Sequence, residues 1–220
     1  MSTQSDFILD KFNGQTGYFV DVGASDGFND SNTLDLEKNG WSGICIDGLE
    51  RNYQSLLQTR SCYCVNAVIA GENRKAEFVC QGKSGSNGLG GSGLTEFMDK
   101  PHLDFIIHHL GGRLTTVKTR TLESVLREYF APLTIDFLDV DVEGAAWEIL
   151  RNFPFTKWRF SYINVEVSAE LTPPLTSLLN RYGYVECGRF GQDVMFKYNK
   201  VSTTKKRIKW NMFFGKYIIK

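Results

Sequence analysis

Short runs rich in apolar and β-branched residues alternate along this chain with longer stretches whose apolar positions recur at helical spacing. The runs are Tyr18–Val22, Gly43–Asp47, Tyr63–Ile69, Ile135–Val140 and Tyr162–Val167. Strand-length segments separated by helix-length ones predict parallel βαβ units in one open sheet. Helices are expected over Asn32–Asn39, with Leu34 and Leu36 inward and Gly40 as the stop. Further helices are expected over Arg51–Gln58, Leu122–Tyr129, Ala145–Asn152 and Pro174–Tyr182. Tyr184–Tyr198 reads as a terminal hairpin turning around Gly188–Gly191.

One stretch breaks the rhythm. Gly82–Gly93 holds six glycines and three serines in twelve residues, a composition that cannot pack a core and predicts a loop. It is either a surface excursion or a lid over substrate. The 220 residues suit a single domain over 1–199 followed by an extension, 200–220. That extension carries seven basic residues and no acid, mixed with Trp210, Phe213 and Phe214, which leaves 18 basic and 25 acidic residues in 1–199. An acidic body argues against nucleic acid as the main substrate, except through the basic tail. Five cysteines without a CxxC pair suggest neither a disulfide framework nor a thiolate zinc site. With no signal-peptide pattern and no apolar run of membrane length, the expectation is a cytoplasmic protein.

The chemistry concentrates after the first run. Ligands of open α/β sheets bind at the carboxyl ends of the strands, where strand order reverses. Gly23 and Gly27 in Asp21-Val22-Gly23-Ala24-Ser25-Asp26-Gly27 permit a tight turn there. Ser25 occupies the position where a dinucleotide fingerprint has glycine for the pyrophosphate, and Asp21 and Asp26 would repel phosphates but suit an ammonium or hydroxyls. A cationic cofactor with an amino-acid tail therefore fits better than NAD. Asp47, at the end of the second run, has the spacing of an acidic residue that accepts ribose hydroxyls.

Thr119–Leu126, then Ile135-Asp136-Phe137-Leu138-Asp139-Val140-Asp141-Val142-Glu143-Gly144 and the helical segment to Leu150, closely resemble the FkbM-type methyltransferases. Gly23–Gly27, Ser31–Thr33, Leu36–Asn39 and Trp41–Asp47 resemble the family's N-terminal half, so the likeness runs over residues 17–197. It implies a Rossmann-like α/β fold with seven mostly parallel strands, the last antiparallel, and helices on both faces. It also implies S-adenosylmethionine as cofactor and O-methylation of a sugar, glycan precursor or other small hydroxylated metabolite. Asp47 stands where the family usually has Glu, Asp139 where it has Lys, and Ala146 where it has an acid.

Methyl transfer to oxygen needs an aligned acceptor and a group to take the hydroxyl proton. Asp141, at the end of the fourth run, is the first candidate base, Glu143 the second and His109, of the pair His108-His109, the third. Asp141 and Glu143 could instead cap the following helix, and one histidine of the pair is expected to be buried and the other solvated. Cofactor contacts are expected from Asp21, Gly23, Ser25, Asp26, Gly27, Asp47 and Asp141, and from Asn66 beside the adenine. Asp139, Asp141, Glu143 and Glu166 also offer an all-oxygen set for magnesium. Asp193 is expected to stabilise the terminal hairpin. A scaffold that binds cofactor without turnover, and RNA methylation through the tail, are the alternative functions.

Overall fold

The computed structural model describes residues 3–82 and 91–199. Most of the glycine-rich stretch and the whole basic extension, with the lid and tail roles expected of them, lie outside the described residues. Seven strands form the main sheet: β1 (Tyr18–Val22), β2 (Ser42–Asp47), β3 (Tyr63–Asn66), β8 (Thr134–Val140), β9 (Arg159–Glu166), β10 (Tyr184–Phe190) and β11 (Asp193–Tyr198), in the order β10-β11-β9-β8-β1-β2-β3. The five strands from β9 to β3 are parallel, and β11 runs antiparallel to both β9 and β10. This is the expected seven-stranded sheet.

Strict alternation along the strands sorts the two faces. Val20, Val22, Ile44, Ile46, Leu138 and Val140 face α5 (Leu122–Glu128), α6 (Ala146–Arg151) and α7 (Thr172–Arg181), which contribute Val125, Ile149 and Leu179 to one core. Phe19, Cys45 and Phe137 face α1 (Gln4–Phe12), α2 (Leu34–Lys38) and α3 (Glu50–Thr59), which contribute Ile8, Leu36 and Leu56 to the other. Helices thus cover both sheet faces. Of the two residues expected inward on α2, Leu36 is fully buried and Leu34 only partly.

The run Tyr63–Ile69 is not one strand. After Asn66 the chain leaves the main sheet, and β4 (Val68–Ala70) enters a second, four-stranded sheet in the order β4-β7-β5-β6. Its other strands are β5 (Lys75–Cys80), β6 (Gly93–Leu94) and β7 (Arg113–Thr121), with α4 (Lys100–His109) between β6 and β7. Thr119, buried, ties this sheet together: its hydroxyl donates to the Glu72 carbonyl (2.7 Å) and accepts from the Arg74 amide (3.0 Å). The sheet carries its own small apolar cluster of Val68, Ala76, Phe78 and Leu94.

A buried polar cluster anchors the β1–α2 connection to α3. Thr33 donates to Asp21 Oδ2 (2.5 Å) and accepts from Arg60 Nη2 (3.0 Å), while Arg60 Nε pairs with Glu37 (2.5 Å). Replacing Thr33 with Val removes both bonds and leaves a buried carboxyl and guanidinium short of a partner, which costs about 1–3 kcal/mol. Urea unfolding should show this as a lower midpoint with an unchanged slope.

Candidate functional site

The carboxyl ends of β1, β2 and β8 open onto a cavity of about 730 Å³, within the range of roughly 300–1,000 Å³ typical of small-molecule sites. It sits where strand order reverses, between β1 and β8. Asp21, Gly23, Ser25, Asp26, Asp47, Asp139, Asp141 and Glu143 all line it, so the structure brings together residues spread over more than a hundred positions of sequence.

The turn after β1 owes its glycines to packing as much as to any ligand. Gly23 has φ of +94°, and a Cβ there would lie 1.7 Å from the Asp141 carbonyl oxygen. The Asp141 amide in turn donates to the Val22 carbonyl (2.9 Å), clamping the β8 end to the β1 end. At Gly27 the space for a Cβ is filled by Leu56, Thr59 and Arg60 of the α3 segment. Ser25 is left-handed without being glycine (φ 51°), and its amide donates to Asp47 Oδ2 (3.0 Å).

Asp47 accepts a second amide bond, from Leu49 to Oδ1 (2.8 Å). Burial nevertheless pushes its carboxyl up to about 6, against those bonds. The Asn52 side chain donates a third bond, so the carboxylate keeps acceptor capacity for a ligand hydroxyl on one side. Asp26 is instead a turn residue. Although burial opposes it, bonds from the Phe28 and Asn29 amides and the Asn29 side chain hold its carboxyl below the usual range. Asp21 has one oxygen taken by Thr33.

Asp139 lies beside Asp21 in the β1–β8 register. It is buried, and its oxygens accept from Asn32 Nδ2 (3.0 Å) and Asn164 Nδ2 (2.7 Å). Burial first and the neighbouring Asp21 second raise its carboxyl well above the ordinary value. Asn164 also donates to Asp193 (2.8 Å), so Asp193 ties the hairpin to the row of strand ends. Amide donors on both Asp139 oxygens compete directly with a cation. The magnesium set expected of Asp139, Asp141, Glu143 and Glu166 is not assembled: among the described residues no group of three or more His, Cys, Asp or Glu side chains is arranged to hold a metal.

Asp141 and Glu143 follow β8 on the turn into α6. That helix has no side-chain cap, so neither acid serves it in the capping role open to them from sequence. Asp141 is open to the cavity on one side and crowded by protein on the others. Crowding, a hydrogen bond with Glu166 and the charges of Glu166, Asp139 and Glu143 raise its carboxyl far above the ordinary range. Glu143 is also raised, by burial and then by Glu166.

Two expected residues are elsewhere. His109 and His108 are both exposed, and His109 stacks on Phe105 at 5.3 Å, away from the cavity. Position along the helix axis explains this: His102, in the first turn of α4, lies toward Glu143, with Nδ1 3.9 Å from Oε2, while His109, seven residues on, shares that face about 10 Å further along the axis. Asn66 turns out of the cavity and bonds Glu50 (2.8 Å), while Ala67, Val68 and Ile69 form the wall beyond Asp47. Once the chain leaves the main sheet after Asn66, it is the following residues that face inward. Phe78, Gln81 and Leu94 of the second sheet also line the cavity. Their contribution was hidden from sequence because that sheet was.

A family model described as the methyltransferase FkbM domain matches residues 21–186. The chain belongs to the FkbM methyltransferase family. The match runs from the buried Asp21 through the Asp141–Gly144 turn to the terminal hairpin, so this FkbM domain contains the whole cavity. Its fold is similar to that of methyltransferase FkbM from Methylobacillus flagellatus, with a TM-score of 0.50, 12% identity and coverage of 83% of this chain and 44% of that one. The chain therefore spans less than half the length of that protein. Precorrin-6y C5,15-methyltransferase from Geobacter metallireducens aligns with a TM-score of 0.45 and 10% identity over 89% of this chain and 88% of that one. No curated protein matches the sequence. Among the described residues no helix is long and apolar enough to cross a membrane.

Proposed function

We propose that this FkbM-family chain transfers the methyl group of S-adenosylmethionine to a hydroxyl oxygen of a sugar, glycan precursor or other small hydroxylated metabolite. The observation that carries this reading is the charge of the cavity. Among its described lining residues are seven carboxylates (Asp21, Asp26, Asp30, Asp47, Asp139, Asp141 and Glu143) and one guanidinium, Arg51, whose Nη1 donates to the Gln81 carbonyl (2.7 Å). Even with the Asp139 and Asp141 carboxyls holding protons at neutral pH, such walls attract a sulfonium and an ammonium and repel a pyrophosphate.

The residues present fit the cofactor. Asp47 would take the ribose hydroxyls, Ala67–Ile69 would flank the base, and the Gly23–Asp26 turn would approach the amino-acid part. When bound, the cofactor supplies an electrophilic methyl group. The chain's own residues hold the acceptor beside Asp141 and receive its proton, since Asp141 and Glu166 form a hydrogen-bonded carboxyl pair at the open end of β8 and β9.

Calorimetry with S-adenosylmethionine and S-adenosylhomocysteine tests the reading. Asp47→Ala should weaken both by about ten- to a hundredfold, the value of hydrogen bonds to a charged acceptor. Only the ionised form keeps that acceptor capacity. Affinity in the wild type should therefore rise as pH increases through about 6, and that rise should vanish in Asp47→Ala. No affinity for either compound in the wild type overturns the proposal.

A further inference from the structure

Glu143 is a cavity carboxylate held in a backbone conformation that the described residues do not reward with a hydrogen bond. It lies in the left-handed region at φ 46° although it is not glycine, a conformation that costs about 1–3 kcal/mol and persists only where the surroundings enforce it. The enforcement comes from glycines. A Cβ on Gly144 would lie 2.4 Å from the Phe97 carbonyl oxygen, one on Gly91 would lie 1.8 Å from Glu143 Oε1, and one on Gly93 would lie 3.1 Å from Glu143 Cβ. The segment entering β6 and the turn after β8 are thus interlocked around this side chain.

The carboxylate so held accepts no hydrogen bond from the described residues and caps no helix. It lines the cavity, with Glu166 and Asp141 as acidic neighbours and the His102 imidazole as the cationisable group facing it. Arg51 is engaged at the far end, beside Asp47, with the Gln81 carbonyl. A strained, half-buried acceptor group open to a cavity needs a donor, and the described residues supply none within bonding distance.

Resting on the methyl-transfer reading above, we propose that Glu143 is the acceptor-recognition residue, oriented by His102. It accepts a hydrogen bond from a second hydroxyl or an ammonium next to the methylated position, so that the enzyme selects neutral or cationic polyols and rejects phosphorylated ones. The three carboxylates at this end repel a phosphate ester, and a vicinal hydroxyl or amine meets Glu143 while the reacting hydroxyl meets Asp141. His102 acts through Glu143 as a positioning residue.

Ligand-observed NMR on the full chain loaded with S-adenosylhomocysteine tests this without requiring turnover. The probes are matched sets of a methyl glycoside, its 2-amino analogue and its 6-phosphate, in several sugar configurations. At least one neutral or amino sugar should bind, and its phosphate at least tenfold more weakly. Glu143→Gln should weaken the neutral or amino ligand by roughly ten- to a hundredfold while leaving S-adenosylhomocysteine affinity within about twofold. In a separate turnover assay with S-adenosylmethionine and a ligand so identified, His102→Gln should raise KM more than it lowers kcat, and His102→Asn should fail to restore it. A preference for the phosphate, no binding by any member, or unchanged acceptor binding in Glu143→Gln overturns the inference. Loss of S-adenosylhomocysteine binding in the wild type would instead overturn the reading it rests on.

Discussion

Gly23→Ala should unfold at a markedly lower urea concentration than the wild type, with a loss of about 2–6 kcal/mol, and should bind S-adenosylhomocysteine at least a hundredfold more weakly. Two effects add. The left-handed φ of +94° strains any residue with a Cβ by about 1–3 kcal/mol. The new methyl also meets the Asp141 carbonyl oxygen, 1.7 Å from where it must sit, and such overpacking costs about 1–3 kcal/mol more. The oxygen cannot withdraw cheaply, because the Asp141 amide is bonded to Val22. Moving either partner shifts Ser25 away from Asp47 and Asp141 away from the cavity, so affinity falls together with stability. Gly14→Ala separates the two causes. Gly14 is also left-handed, at +77°, but a Cβ there meets nothing within 4 Å, so its loss should be limited to roughly 1 kcal/mol of strain. Equal losses in the two variants would show that the contact with β8 is not what requires glycine.

Asp141→Asn should lower kcat by about 10²–10⁴-fold, the usual contribution of a general base, with S-adenosylhomocysteine affinity within a few-fold of the wild type. The proton arithmetic sets the pH profile. Crowding and the Glu166, Asp139 and Glu143 charges raise the Asp141 carboxyl far above its ordinary value. At neutral pH the Asp141 carboxyl therefore holds a proton, which it must lose before it can take one from the acceptor. Activity should rise on the alkaline side of neutrality as that proton is lost, and Asp141→Asn should flatten the rise. Stability at neutral pH should change little, because Asn replaces a carboxyl that already holds a proton there. A kcat reduced less than tenfold, with the alkaline rise intact, would assign the proton to another group.

The two predictions meet in one structural fact: the backbone that makes Gly23 irreplaceable is the backbone that presents Asp141. The position at which the family resemblance expects Lys, Asp139, shows how a reversal of charge is absorbed. Asn32 and Asn164 donate to it, and its raised carboxyl spares the row of strand ends a full negative charge beside Asp21.

By itself the sequence determined the main sheet, its flanking helices and most of the cofactor turn. Alternation of period two and helical spacing are local signals, and the residues that end β1, β2 and β8 are read directly from where those runs stop. Only the tertiary structure decided the second sheet and which side chains gather around Asp141. The run from Tyr63 to Ile69 is uniformly strand-like, yet it serves two sheets, because Val68 packs against the space left by Gly48, where a Cβ would lie 2.5 Å from Val68 Cγ2. Polar β7 (Arg113–Thr121), largely exposed, has no apolar alternation to betray it. The choice of His102 over His109 depends on which end of α4 is set against the turn after β8, and the approach of Asp141 to Glu166 on β8 lying beside β9. These are relations between segments far apart in the chain, and no pattern within one segment encodes them.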